Sequence, residues 1–438
     1  MPDARAQPFS RRHAAAPARH DIQRRTIAVL IITQVIGTVG VGIAPSIGVL
    51  LAGQVTDDEA WAGLARTAST LEAAVFGLPL GTVAARWGRR VALSAGWWIA
   101  AAGSALLVAA AQWSLVVPLF IGLFLIGVGT AASLQARFAA TDLAEPHHKG
   151  RALALAVWVG TLGSVLGPNL GVPGEIIGSA TGLTVFAAAF LIAAGCLAVA
   201  GTVVSIWLRP DPLLTLTGER EQPSPQARRR GSRARGGRIR AVLTEMRTNR
   251  AARYALIAVV TAQVVMVSVM TMTPVHVEHQ GGSVTIIGIS ISLHILGMYA
   301  LSPVVGWIAD RFGHRATIAA GLLIFLASLL IGAVRPDGIP WIIASLILLG
   351  IGWSFVNVAG SVLFSAAVTD ETRAASQGGV DALSNLFGAT AAFGAGPLLA
   401  VSGFSTLSLI AVAVLVPLAV LTIRRAAGRE EPAATTNR

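Results

Sequence analysis

The sequence predicts an all-α membrane protein of twelve transmembrane helices, arranged as two six-helix halves. Three observations carry this. Of 438 residues, 54% are hydrophobic and only 12% charged, with a mean hydropathy of +0.70; a soluble domain carries about a quarter charged residues. Apolar stretches of about 20 residues, the length that crosses a bilayer, recur along the whole chain. Short motifs in the first half also return in the second at a nearly constant offset.

Residues 1–26 are polar with no apolar run, so they read as a cytosolic tail and not as a cleavable signal peptide. The first six spans fall at about 27–51, 61–85, 91–111, 113–136, 151–173 and 181–208, giving an N-terminal half over 27–208. Segment 209–250 is rich in Arg, Pro and Gly and has no apolar face; it reads as a basic cytosolic linker. Six further spans, at about 253–273, 284–305, 316–334, 340–364, 375–400 and 404–423, form a C-terminal half over 251–423, and 424–438 is a cytosolic tail.

Basic residues set the orientation. The two tails, the linker and every second connection together hold 30 of the 33 Lys and Arg, counting Arg137 among the connections, whereas the opposite connections hold only Arg335. Positive-inside then places both termini in the cytoplasm. This topology accounts for the net charge of +12 without a nucleic-acid partner. Lys149 is the only lysine against 32 arginines, a usage typical of a GC-rich bacterial genome, which makes the expected location a bacterial cytoplasmic membrane. The single cysteine, Cys196, excludes a disulfide framework and a thiolate cage.

The repeat is explicit in the residues. Gly81-Thr-Val-Ala-Ala-Arg86-Trp-Gly88-Arg89-Arg90 follows the second span, and Gly306-Trp-Ile-Ala-Asp310-Arg311-Phe-Gly313-His-Arg315 follows the eighth. Thr141-Asp142 returns as Thr369-Asp370, and Gly167-Pro168 as Gly396-Pro397. Ordered matches at a steady offset indicate a parallel duplication. The Gly-x-x-x-Asp-Arg-x-Gly-x-Arg turn resembles the signature of the major facilitator superfamily, intact in the second copy and carrying Ala85 in place of Asp in the first. The resemblance spans the chain. It implies the two-half fold, a transporter and not an enzyme, and a gating role for Gly81, Arg86, Gly88, Arg90, Gly306, Asp310, Arg311, Gly313 and Arg315. No H-E-x-x-H motif and no Gly-rich loop ending in G-K-S/T occurs, so metal-dependent hydrolysis and ATP drive are not expected.

Carriers of this architecture bind cargo near the bilayer midplane, between the halves. Met266, Met270, Met272 and Met298 fall on the seventh and eighth spans; the other two methionines are Met1 and Met246. Met266 and Met270 are spaced i, i+4 and share a helix face, as do His294 and Met298. At 1.5 Å per residue, Met266 lies about 20 Å from the cytosolic end of its span and His294 about 15 Å below the outer surface. Thioether and imidazole together suit Cu(I). A methionine also fills apolar gaps, and an intramembrane histidine also serves as a packing residue or a proton relay. The pair Met266-x-x-x-Met270 and His294-x-x-x-Met298 resembles the CcoA-like copper importers within the superfamily. That resemblance implies copper as cargo, uptake as direction, and Met266, Met270, His294 and Met298 as ligands, with no resident cofactor.

Other residues are candidates for supporting roles. His276 and His279, with Glu278, stand at the outer end of the seventh span and suggest metal entry, with Met272 on the path inward. Glu72 and Asp381 are intramembrane carboxylates suited to proton coupling. Arg66 reads as a snorkelling residue. His147 and His148 read as solvated. The rival reading is proton-coupled efflux of drugs or organic cations. Gly163-Ser-Val-Leu-Gly167-Pro168-Asn-Leu-Gly171 resembles the antiporter motif of the superfamily and supports it, while Leu123, in the place of that motif's intramembrane Arg, argues against it. Membrane lipid and a small cargo are the expected partners, with no obligate protein partner evident.

Overall fold

The computed structural model describes residues 19–57, 60–145, 149–218, 249–368 and 370–427. All regular structure among them is helical. In the first half the helices are α1 (Arg19–Gly42), α2 (Val49–Thr56), α3 (Ala60–Trp87), α4 (Arg89–Trp113), α5 (Val116–Ile126), α6 (Val128–Thr141), α7 (Lys149–Leu166), α8 (Gly171–Thr181) and α9 (Val185–Trp207), followed by a short α10 (Pro212–Gly218). The second half contains α11 (Arg250–His279), α12 (Val284–Tyr299), α13 (Ser302–Phe312), α14 (His314–Val334), α15 (Ile339–Ala367) and α16 (Asp370–Ala427). Helices satisfy every backbone group within the segment, which lipid requires.

Nine stretches of described residues are long and apolar enough to cross a membrane. The last, Gly379–Arg424, holds two crossings that meet at Gly403, where φ is 76° and ψ 173°. With α3 and the α7–α8 pair, the twelve expected spans are accounted for. Several spans are broken. Pro45 sits in a π-helical turn, Ala44–Gly48, between α1 and α2, and a 3-10 turn, Gly167–Leu170, separates α7 from α8. Helices begin on side-chain caps: Asn249 accepts from the backbone N–H groups of Ala251 and Ala252, and Ser283 from that of Ile286.

Each half packs its own core. One buried cluster runs from Val29 to Leu208 around Trp97, Leu107 and Phe190. A second gathers Tyr254, Phe325, Leu349 and Leu418 and takes in Val49 and the partly buried Val165 from the first half; a smaller cluster joins Leu50 to Val277, Ile287 and Ile342 across the halves. Large apolar side chains remain on the outside, among them Trp98, Trp113, Leu323 and Ile423. On a membrane-spanning bundle these form the lipid-facing surface.

The first residues of segment 209–250 contact the N-terminal half. Asp211 caps α10 by accepting from the N–H groups of Leu213 and Leu214, and its other oxygen accepts from the Arg90 N–H at 2.7 Å. Asp211 thereby ties the start of this segment to the first repeated turn.

Candidate functional site

A cavity of about 370 Å³ lies between the halves. Its N-terminal wall is polar: Gln34 and Thr38 from α1, Arg66 from α3, Ser133 and Arg137 from α6, and Thr161 and Ser164 from α7. Its C-terminal wall is softer: Met266 and Met270 from α11, Ile295, Met298 and Tyr299 from α12, and Trp353 from α15, with Gln263 and Asn385 as amides.

The walls are built by local spacing. Gln34 and Thr38 are one turn apart, as are Ser133 and Arg137, and each pair faces the cavity. Gln34 donates from its amide nitrogen to the Ser133 hydroxyl at 3.1 Å, and Thr38 donates to the Gly160 carbonyl at 2.9 Å. These bonds cross-link α1 to α6 and α7. Opposite, the Trp353 indole N–H donates to the Gln263 amide oxygen at 3.1 Å, and Tyr299 meets the Trp353 ring edge-on at 5.7 Å between centroids.

The four residues of the paired motifs divide into three and one. Met266, Met270 and Met298 are nearly enclosed and line the cavity. His294 is fully buried behind that wall and does not line it. Its Nδ1 lies 2.7 Å from the Leu346 carbonyl, an acceptor, so Nδ1 carries the proton as donor. Its Nε2 is buried and has no hydrogen-bond partner among the described residues. Gly350 makes this packing feasible, because a Cβ there would run into the carbonyl and Nδ1 of His294. A histidine that ligates a metal through one nitrogen is commonly oriented through the other in this way. Met272 is fully buried and lines neither this cavity nor the outer one.

Two arginines are placed where the sequence did not put them. Arg137, expected in a cytosolic connection, stands inside α6 and faces the cavity. Arg66, expected to snorkel to the outer surface, also lines it. Helix rotation explains both: α3 and α6 pack side by side and turn these residues inward, away from lipid. Tyr299 lies within electrostatic range of both guanidinium groups, and Asp381 within range of Arg137. No carboxylate lines the cavity among the described residues. Asp381 itself is exposed, and the side chain of Glu72 lies outside the described residues, as do His147 and His148.

The end of the cavity away from the repeated turns is closed by contacts between the halves. Asn169 donates to the Ser292 hydroxyl at 2.7 Å, and Ser292 donates to the Val165 carbonyl at 2.6 Å. Thr67 donates to the Ala389 carbonyl at 3.0 Å, and beside it Gly63 lies so near Ala392 and Gly396 that a Cβ would collide with their backbones. A separate pocket contains His276, His279 and Asp337. His276 is held firmly: Nε2 lies 2.7 Å from the Pro336 carbonyl, and the ring stacks on Phe404 at 4.4 Å. No group of three His, Cys, Asp or Glu residues arranged to hold a metal occurs among the described residues.

The repeated turns share a backbone and differ in partners. Gly88 has φ 92° and Gly313 φ 87°, the left-handed conformation in which glycine is favoured. In the first copy Arg89 forms a two-pronged ion pair with Asp142, at 2.8 and 3.2 Å, and also donates to the Gln135 side-chain oxygen at 3.0 Å. The sequence pattern pointed to Arg86 and Arg90 instead; Arg86 lies over the Trp87 ring, and Arg90 contributes its backbone N–H. In the second copy Asp310 and Arg311 are exposed, with Arg311 over Phe312. The signal for Arg89 was present in the sequence, as an arginine beside the turn glycine with the recurring Thr141-Asp142 one loop away. The signal for Arg137 was an arginine at the edge of an apolar span.

Known proteins match this chain over most of its length. The family model for the Major Facilitator Superfamily matches residues 26–291 and 277–438. The uncharacterized MFS-type transporter YdeG of Bacillus subtilis (strain 168) is 36% identical over 396 residues, covering 89% of each chain. The riboflavin transporter RfnT of Brucella anthropi is 29% identical over 389 residues, 88% of this chain and 92% of the relative. Among solved structures, a bacterial homolog to the human lysosomal transporter Spinster, inward-facing and occupied, superposes with a TM-score of 0.69 at 14% identity, covering 94% of this chain and 98% of that one. The nucleoside transporter NupG gives 0.65 at 14% identity, covering 92% and 98%. These structures speak to the fold alone. The chain belongs to the Major Facilitator Superfamily and is a multi-pass membrane transporter, not an enzyme.

Proposed function

We propose that this facilitator imports copper across the bacterial cytoplasmic membrane by alternating access, with both termini in the cytoplasm. The observation that carries the reading is the clustering of Met266, Met270 and Met298 on one wall of the cavity between the halves, with His294 one turn from Met298. Thioethers are soft, neutral ligands that hold and release Cu(I) without adding carboxylate charge. His294 has the tautomer such a role needs, with Nδ1 committed to Leu346 and Nε2 open. A modest rotation of α12 would bring Nε2 to the cavity wall during the transport cycle. Met272, His276 and His279 would form the outer approach, with His276 offering Nδ1 once Nε2 is engaged with Pro336. Asp381, or Glu72, would take the proton that drives the cycle.

A second reading has its own observation. The cavity is of the size that takes a drug-sized organic molecule, and Tyr299 and Trp353 offer aromatic faces. A planar solute such as the riboflavin carried by the 29%-identical relative fits that chemistry. Efflux of organic cations is less favoured: the described lining carries two guanidinium groups and no carboxylate, a charge that a copper ion meets too but that only a soft metal offsets with thioether ligation.

Radioactive copper uptake in cells lacking their own importer tests the first reading. Native chain should give uptake above empty vector, and Met266→Ala with His294→Ala, at equal membrane abundance, should abolish it. Uptake equal to empty vector sinks copper import and moves attention to flavin-like solutes.

A further inference from the structure

We propose that the central cavity contains an anion subsite, in which Arg137, assisted by Arg66, binds a carboxylate or phosphate group of the cargo. The inference stands apart from the copper reading and constrains it: a bare cation would meet two positive groups in this cavity.

A guanidinium inside the span of a membrane protein is expensive and persists where it serves a pathway or a partner. Arg137 stands inside α6 with its side chain on the cavity wall, and it makes no hydrogen bond or ion pair to a described residue. Its planar fork of five donors is therefore available to the cavity, in the geometry that suits carboxylate and phosphate oxygens. Asp381 lies within electrostatic range of Arg137 but does not line the cavity, so it moderates the charge without occupying the fork.

The surroundings agree. Arg66 adds a second positive group to the same cavity, and Tyr299 is within electrostatic range of both. No acidic side chain lines the cavity among the described residues. Low-dielectric walls around like charges focus their field and concentrate counter-ions. The volume of about 370 Å³ leaves room for a ligand well beyond a single ion, with the Met298 and Trp353 side available to an apolar or aromatic body. The ligand class is thus a small organic anion, arriving either free or as the chelating partner of a copper ion.

Charged thiol reagents read the local field directly. Ser133 lines the cavity one turn before Arg137, so Ser133→Cys in a Cys196→Ala background places a reporter thiol beside it. The anionic sulfonatoethyl and cationic trimethylammonioethyl methanethiosulfonates are compared on the full chain, with an exposed model thiol as reference. The anionic reagent should be favoured by about tenfold relative to the reference, as expected for field focusing in a cleft. Arg137→Gln should remove most of this preference, and Arg137→Lys should retain it. A rate ratio equal to the reference, or one unchanged by Arg137→Gln, overturns the proposal. Copper uptake in the same cells separates the two readings. Uptake that falls together with the anion preference supports a copper–anion cargo. Full uptake in Arg137→Gln overturns the anion as part of the cargo and leaves the copper reading standing. An anion preference without copper uptake by the native chain sinks copper and supports a free organic anion.

Discussion

The two walls of the central cavity come from duplicated halves, yet they differ in chemistry. The N-terminal wall presents Gln34, Thr38, Arg66, Ser133 and Arg137, whereas the C-terminal wall presents Met266, Met270, Met298, Tyr299 and Trp353. The repeated turns outside the bilayer have kept their glycine geometry, with Gly88 and Gly313 within a few degrees in φ. Duplication therefore constrains a carrier unevenly. A turn that must be tight tolerates little change in either copy, while opposing walls that never occupy the same place are free to specialise. One wall is placed to orient a charged group and the other to cradle a soft or aromatic one.

Substitutions that conserve volume test that division most sharply. Met266→Leu with Met270→Leu keeps the apolar wall and removes both sulfurs, each swap costing less than about 1.5 kcal/mol of packing energy. If the C-terminal wall ligates a soft metal, copper uptake should fall at least about tenfold at equal membrane abundance, in line with the loss of a ligand set. Unchanged uptake would reduce the wall to a packing surface and erase the distinction between ligation and cradling.

The next largest effect concerns how the walls approach each other. Gly63→Ala adds a Cβ that collides with the Ala392 carbonyl at the seam between halves. Transport should drop severalfold while the thermal midpoint holds, because each half keeps its own core. Thiol labelling of a Thr67→Cys reporter should rise as the outer side opens. A variant that transports normally would show that this seam is not a moving contact.

The repeated turns give a smaller and directional difference. The Arg89–Asp142 pair is largely buried, with side-chain exposures of 13% and 10%, whereas Arg311 is exposed. Arg89→Gln leaves Asp142 uncompensated and should lower stability by about 2 kcal/mol or more, read as a fall in thermal midpoint. Arg311→Gln should change it by less than about 0.5 kcal/mol. Equal effects would mean that the two turns act alike despite their different partners.

A smaller change than that of Arg89→Gln is expected within the C-terminal wall. Trp353→Phe removes one hydrogen bond to Gln263 and keeps an aromatic ring, costing about 1 kcal/mol. Binding of any aromatic cargo, followed by equilibrium titration, should weaken by less than about tenfold.

Much of this protein was legible before its structure. Apolar run length located the spans, including the closely spaced pair within Gly379–Arg424, which the structure divides at Gly403. Spacing put Met266 and Met270 on one helix face; that Met298 of the next helix lines the same cavity depends on how the two helices face each other. Spacing failed for His294, which shares a helix face with Met298 yet is drawn behind the wall by the close approach of Gly350 and the Leu346 carbonyl. It failed also for Arg137 and Arg66, since an arginine near the end of a span has the same sequence signature whether it snorkels to the surface or turns inward. The emphasis on Arg86 and Arg90 over Arg89 reflects the same limit, because neighbouring residues on a helix point about 100° apart and only one meets Asp142.

Hydropathy and local spacing were enough to specify the class of the molecule, the number of its crossings and its duplication, because each segment carries those signals on its own. Folding in three dimensions was needed to establish which polar residues share a cavity, that two guanidinium groups face the same space as three thioethers, and that the halves meet at the end away from the repeated turns. Those facts depend on how far each helix is rotated about its axis. That rotation is set by distant partners, such as Gly63 against Gly396 and Gly350 against His294, and no single segment encodes it.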